Sequence, residues 1–428
     1  MLTLILVGIY GPQDPEYNCI LYLCWGLWWP TVLFSLLFVG RVWCGVCPFP
    51  IPGRFLQSWH ISLGKTVPKL LIKYSTPIAV IFFMVIVWVE ESTGMKENPK
   101  ATAYLILIIF SGALFCSLIF TKQAWCQYFC PLGKIMGIGS SISWLEFRPN
   151  HQKCRQCTTF SCRDGLDNKP GCPVSLGAIR VTNNLECHVC GRCMQLCPHD
   201  SPQLNIRFPL NEIIIRKGKF ITCTLMIPFL IGSHFARFLD HDVLSIMDHI
   251  EKNCMHDWVC QMGLYAIPLA LGFAVVYMII SLGDLVFGVY DDELLGSFSP
   301  MVPVFLPLAF AGEVVSRMNY TIHNSPDFLP TIGRQFGWEP LTHLSFTVPV
   351  WFYPIYGITI MFVAELAGLY ILEKFVEVDF AGLIAEWRYR IIQIAFFLLF
   401  AIYLLIMSTG WDISYLNILF IFQDSPLS

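Results

Sequence analysis

The chain has 428 residues, 55% of them hydrophobic and 13% charged, with a net charge of −3 and a mean hydropathy of +0.60. Soluble domains carry about 25% charged residues, so this composition excludes an ordinary soluble enzyme. It also lacks the basic excess of a nucleic-acid binder, and no nucleic-acid partner is expected.

A spanning helix needs about 20 mostly apolar residues. Hydropathy predicts eight: 19–40, 74–89, 101–120, 220–235, 262–282, 301–315, 348–372 and 391–408. Residues 1–10 are apolar but too short to span, and no basic stretch precedes them to suggest a cleavable signal. Lysine and arginine set the orientation. Arg41, Arg54, Lys65, Lys69 and Lys73 follow the first span, and Lys122, Lys134, Arg148, Lys153 and Arg155 follow the third. Glu90 and Glu91 lie at the opposite end. Both basic stretches are therefore expected in the cytoplasm of a prokaryotic cell, with the chain in its inner (cytoplasmic) membrane and the C-terminus outside.

Two cysteine motifs repeat in this first part. One is Arg41-Val-Trp-Cys44-Gly-Val-Cys47-Pro48, and the other is Gln123-Ala-Trp-Cys126-Gln-Tyr-Phe-Cys130-Pro131. Each follows the same end of a span, so four thiolates can meet at one membrane face, and four are what a cluster needs. A tetrahedral zinc, a redox-active dithiol or incidental interfacial thiols are the alternatives.

Residues 149–219 carry the strongest signal. Cys187, Cys190, Cys193 and Cys197 are spaced C-x2-C-x2-C-x3-C with Pro198 following. This is the bacterial ferredoxin run, whose fourth cysteine ligates the other cluster of a pair. Cys154, Cys157, Cys162 and Cys172-Pro173 supply the partner run, with an enlarged loop over 158–171. The expected assignment is crosswise. Cys154, Cys157, Cys162 and Cys197 hold one 4Fe-4S cluster, and Cys187, Cys190, Cys193 and Cys172 hold the other. A zinc ribbon is the alternative, although zinc needs no Cys-Pro closing each run.

This order of helix, Cys-Pro motif, two helices, Cys-Pro motif and two-cluster ferredoxin resembles the membrane-bound polyferredoxins of the NapH/NosR type, over about residues 19–210. The resemblance implies a membrane-integral iron–sulfur electron-transfer subunit, such as the quinol-dehydrogenase subunit of a nitrate reductase system. Partners would be other subunits, the quinone pool, or a flavoprotein or cytochrome. Both membrane motifs of that family are usually C-x3-C-P. Cys126/Cys130 fits, and Cys44/Cys47 is one residue shorter.

Residues 220–428 are a five-helix unit absent from the short nitrate-type subunit. Ionisable residues within spans usually face a cavity or a partner. Glu313, Arg317 and Glu365 are accordingly candidates for a quinone or proton site, with a self-satisfied ion pair as the alternative. His234, His241, His249 and His256 recur every seven or eight residues. His234 and His241 are candidates for a haem b or metal site, with His323 or His343 facing them. A covalent haem is excluded by the lack of a C-x-x-C-H motif. The fold class expected is a mainly α polytopic membrane protein with an inserted cytoplasmic two-cluster ferredoxin-like domain. Its parts are residues 1–148, 149–219 and 220–428. The function expected is a relay of electrons between quinone or a cytoplasmic carrier and partner subunits. A maturation or metal-reductase factor for a periplasmic metalloenzyme, and a transporter or scaffold with structural clusters, are the competing readings.

Overall fold

The structure, a computed structural model, describes residues 1–166, 169–215, 221–238, 258–287, 302–349 and 351–379, together with 390, 393–394, 396–402 and 404. It is mostly helical. Four helices are long and apolar enough to cross a membrane: Cys19–Val39, Ser75–Ser92, Pro99–Ile119 and Phe352–Lys374. Two shorter apolar stretches, Leu225–His234 and Leu269–Ile279, lie inside the helices Ile221–Phe238 and Trp258–Phe287. The described residues thus carry four full spans where hydropathy predicts eight. The stretch expected over 301–315 begins as the 3-10 turn Val302–Phe305 and continues as the helix Leu306–His323, whose second half holds Glu313, Arg317 and His323. Of 391–408, residues 393–394, 396–402 and 404 are described and are helical.

The chain divides into two compact units. One comprises Met1–Ile86 and Met95–Met226, and the other Val87–Gly94 and Ile227–Ser428. The first unit holds the N-terminal helices and the cysteine-rich insert together. Small residues and interhelical hydrogen bonds let its helices approach. A Cβ on Gly8 would stand 2.6 Å from Ala103 Cβ and 2.7 Å from Ile20 Cδ1. Trp25 Nε1 donates to Thr102 Oγ1 at 3.0 Å, joining the Cys19–Val39 and Pro99–Ile119 helices. Gln57, on the helix Ile51–Ser58, donates its amide to the carbonyls of Ser117, Phe120 and Lys122. That amide caps carbonyls which the end of the Pro99–Ile119 helix would leave unpaired.

The insert is closed by an antiparallel strand pair, Leu145–Pro149 with Pro202–Ile206. Glu212 locks this closure from a fully buried position. It accepts from Arg148 Nη2 at 2.8 Å, from Asn184 N at 2.9 Å, and from Arg207 Nη1. The enlarged loop forms a short hairpin, Gly165–Leu166 with Lys169–Pro170.

In the second unit, Gly232 and Gly272 bring two helices to backbone contact. A Cβ on Gly232 would stand 2.5 Å from the Gly272 carbonyl carbon.

Candidate metal centres

The two halves of the insert repeat one local geometry. Phe160 and Gly191 each sit at positive φ, 49° and 75°, as N-cap of a short helix whose second residue is the third cysteine of its run, Cys162 or Cys193. The fourth cysteine of each run precedes proline, and the third residue after it is again at positive φ: Ser175 at 57° and Asp200 at 46°. Cys197 ends its helix at φ −84°, ψ 115°, because the following Pro198 disfavours the helical region. The chain thereby turns the fourth thiol out of the loop that holds the other three.

The result is two cavities, each lined by four cysteines. One is lined by Cys154, Cys157, Cys162 and Cys197. The other is lined by Cys172, Cys187, Cys190 and Cys193. These are the two crosswise groups. The third cysteines meet between them: a hydrogen bond with the neighbouring Cys193 thiol holds Cys162 below its ordinary value. Backbone amides supply N–H···S donors, from Val189 to Cys187 Sγ and from Ser201 to Cys197 Sγ, both at 3.4 Å. Val189 makes its bond at φ 48°, a rare conformation for a β-branched residue.

A third cavity, of about 110 Å³, is lined by Cys44, Cys47, Cys126 and Cys130. Trp28 and Ile109 from two spans complete its wall, with Trp43 and Trp125. The local chain explains the meeting. The helix Val42–Val46 stops at Cys47 in an extended conformation before Pro48. Trp125–Phe129 is a π turn, with Cys130 N bonded to Trp125 O at 2.8 Å, and it displaces the chain so that both Cys126 and Cys130 reach one side. Cys130 then caps the helix Pro131–Gly139, its Sγ accepting from Gly133 N at 3.3 Å, with Pro131 at the first helical position.

Burial raises these thiols above their ordinary value: Cys47 to about 12, Cys130 and Cys187 to about 11. Thiolates here therefore require positive charge. The protein supplies some through Arg41, which is 4% exposed. Its Nε donates to Cys44 Sγ at 3.4 Å, and its Nη1 donates to the Leu185 carbonyl in the insert. A metal bound there would provide the remainder.

The third cavity abuts the second. A Cβ on Gly45 would stand 3.1 Å from His188 O and 3.3 Å from Cys190 Cα. A side chain at position 45 would require the cluster loop to give by a few tenths of an ångström. His188 and Trp125 line the second and third cavities and carry buried ring nitrogens with no hydrogen-bond partner. Such donors are costly unless satisfied, and a sulfur-rich group in each cavity gives them an acceptor. Among the described residues, no three His, Cys, Asp or Glu side chains converge at single-ion distance. A tetrahedral zinc would bring thiolates to about 3.8 Å of one another, from Zn–S bonds near 2.3 Å.

The second unit holds a separate buried network. Arg317 donates to Glu90 Oε1 at 2.7 Å and to Glu313 Oε1 at 2.8 Å, and His234 Nε2 lies 2.8 Å from Glu313 Oε2. Glu313 and Arg317 thus form the intrahelical pair expected as the alternative to a quinone or proton site, extended by two further partners. Glu90, read in the sequence as outside the membrane, is buried in this network. Glu365 lies apart, 1% exposed, with neither carboxylate oxygen hydrogen-bonded. His323 and His343 are exposed whereas His234 is buried, and His241 lies outside the described residues. Sequence reading missed Arg41 and Gly45 as site residues; the signal was their position, one before and one within a C-x2-C-P motif.

Known proteins place this arrangement. A family described as a 4Fe-4S binding domain matches residues 23–60 and 102–148, which hold both Cys-Pro membrane motifs. The chain is 28% identical over 182 residues to YccM of Escherichia coli K12, a putative electron transport protein, covering 42% of this chain and 46% of that one. It is 28% identical over 187 residues to NirI of Paracoccus denitrificans, covering 39% and 26%. It is 26% identical over 188 residues to NapH, a ferredoxin-type protein of Escherichia coli K12, covering 40% and 63%. The chain spans less than two thirds of each of these relatives. No solved structure matches.

Proposed function

We propose that this chain, a NapH/NosR-type membrane polyferredoxin, is an electron relay with three iron–sulfur centres in series. The order runs from the Cys154/Cys157/Cys162/Cys197 centre to the Cys172/Cys187/Cys190/Cys193 centre and then to the Cys44/Cys47/Cys126/Cys130 centre. The observation that carries this reading is the run of three four-cysteine cavities within one compact unit, the last two joined by the close approach of Gly45 to Cys190.

Bound clusters supply one-electron chemistry with little change in ligand number. The chain's own residues do the rest. Thiolates on short, strained loops fix each centre, and backbone amides and Arg41 stabilise their negative charge. Trp28 and Ile109 put the third centre against the spans, where a quinone or a partner subunit exchanges electrons. The insert would face the cytoplasm by lysine and arginine placement, and a soluble carrier or flavoprotein subunit would serve the outer centre.

Separate Cys47→Ser and Cys130→Ser substitutions test the series. Each is expected to abolish the same paramagnetic signal while leaving those of the insert. Cys197→Ser is expected to remove the centre of Cys154, Cys157 and Cys162. Survival of the third signal in either membrane variant would refute a shared site.

A further inference from the structure

A fourth cavity in the first unit carries no cysteine. Its volume is about 550 Å³, and Arg54, Lys122 and Arg192 line it with Ile51, Phe55, Gln57, Ser58, Gln123, Pro170, Gly171 and Pro173. No carboxylate lines it among the described residues. Arg54 has no acceptor and no acidic partner there. Burial, and then the charge of Arg192, hold Arg54 below its ordinary value, against a smaller opposing pull from Cys126, Cys190 and Cys47. Among the described residues, Arg192 donates to the Gly171 carbonyl and Lys122 to the Arg163 carbonyl, and neither forms an ion pair. Asp164 is near enough to feel Lys122 but is bound to Arg163. Lys122 is held at φ 58°, a strained position for a residue with a side chain. The fold thus spends strain and like-charge repulsion to keep three cations around one space.

The level of the cavity identifies its ligand. Lys122 and Gln123 lie just past the end of the Pro99–Ile119 span, and the helix Ile51–Ser58 follows the end of the Cys19–Val39 span. Phe55 and Trp59 on or beside that helix are 58% and 69% exposed, as residues seated in an interface are. Pro170, Gly171, Pro173 and Arg192 come from the insert, and Gln123 N donates to Pro173 O at 2.9 Å across the junction. An apolar wall with three cations and, among the described residues, no lining carboxylate matches an anionic amphiphile at this level.

We propose that this cavity binds the phosphate headgroup of an anionic phospholipid, which fastens the insert to the membrane face. Basic pockets at helix ends bind such headgroups.

The test is native mass spectrometry of the purified full-length chain in detergent, offered equal phosphatidylglycerol and phosphatidylcholine. The wild type is expected to retain phosphatidylglycerol at least tenfold in preference, from the charge of about three cations. Arg54→Gln and Lys122→Gln should each cut that retention about fivefold, while Arg180→Gln, an exposed position on the insert, leaves it unchanged. Two independent variants guard against one failing to fold. Equal retention of the two lipids by the wild type, wild-type retention in both variants, or displacement of the lipid by millimolar inorganic phosphate would each overturn the proposal.

Discussion

Replacing Arg41 by glutamine removes a buried cation that touches both the membrane motif and the insert. Its Nε lies 3.4 Å from Cys44 Sγ, and its charge is felt by Cys126, Cys130 and Cys187. Reduction adds an electron to a centre that Arg41 stabilises, so losing the cation must lower the reduction potential. At roughly 6 Å and an effective dielectric of about 20, Coulomb's law gives about 3 kcal/mol. For a one-electron couple, at about 59 mV per tenfold, this is about 120 mV. Arg41 is buried, so solvent screening removes little of it. A redox titration followed by electron paramagnetic resonance should show the third centre shifted most, the Cys172 centre less, and the Cys154 centre least. Arg41→Lys keeps the charge and should recover most of the shift while losing the bond to Leu185. Unchanged midpoints in Arg41→Gln, or an equal fall at the Cys154 centre, would refute this account of how charge is balanced.

His188→Leu removes an unsatisfied buried donor from the second cavity. It should lower the midpoint of the Cys172 centre by tens of millivolts and leave the Cys154 centre in place, since N–H donors to sulfur raise the potential; a midpoint that does not move would remove His188 from the cluster environment. Glu212→Ala leaves Arg148 and Arg207 without their shared carboxylate and should destabilise the insert by about 3–5 kcal/mol. Thermal unfolding reads this, and a loss below about 1 kcal/mol would mean the network relaxes around Glu146.

The family, the membrane helices and the spacing of the cysteine runs were legible because each is a local signal. C-x2-C-x2-C-x3-C-P encodes its own loop, and Cys-Pro forces the fourth thiol outward whatever surrounds it. The same applies to the repeated Trp-Cys motifs at span ends. What sequence did not reveal depends on tertiary contact. Glu90 reads as a loop charge beside Glu91, and only the approach of Arg317 makes it a buried partner. Gly45 reads as a spacer until Cys190 is against it. Arg54, Lys122 and Arg192 are far apart in the chain and become one cationic wall only through the packing of the insert on the helix ends. Within the span expected over 301–315, Val302–Phe305 forms a 3-10 turn before the helix Leu306–His323 begins.

Iron and acid-labile sulfide, counted per chain in the anaerobically purified full-length protein alongside spin quantitation, test the three-centre relay most directly. The account predicts about twelve iron and twelve sulfide per chain, four per cubane, with three reducible signals. About eight iron with two signals, or stoichiometric zinc at the membrane motifs, would contradict it.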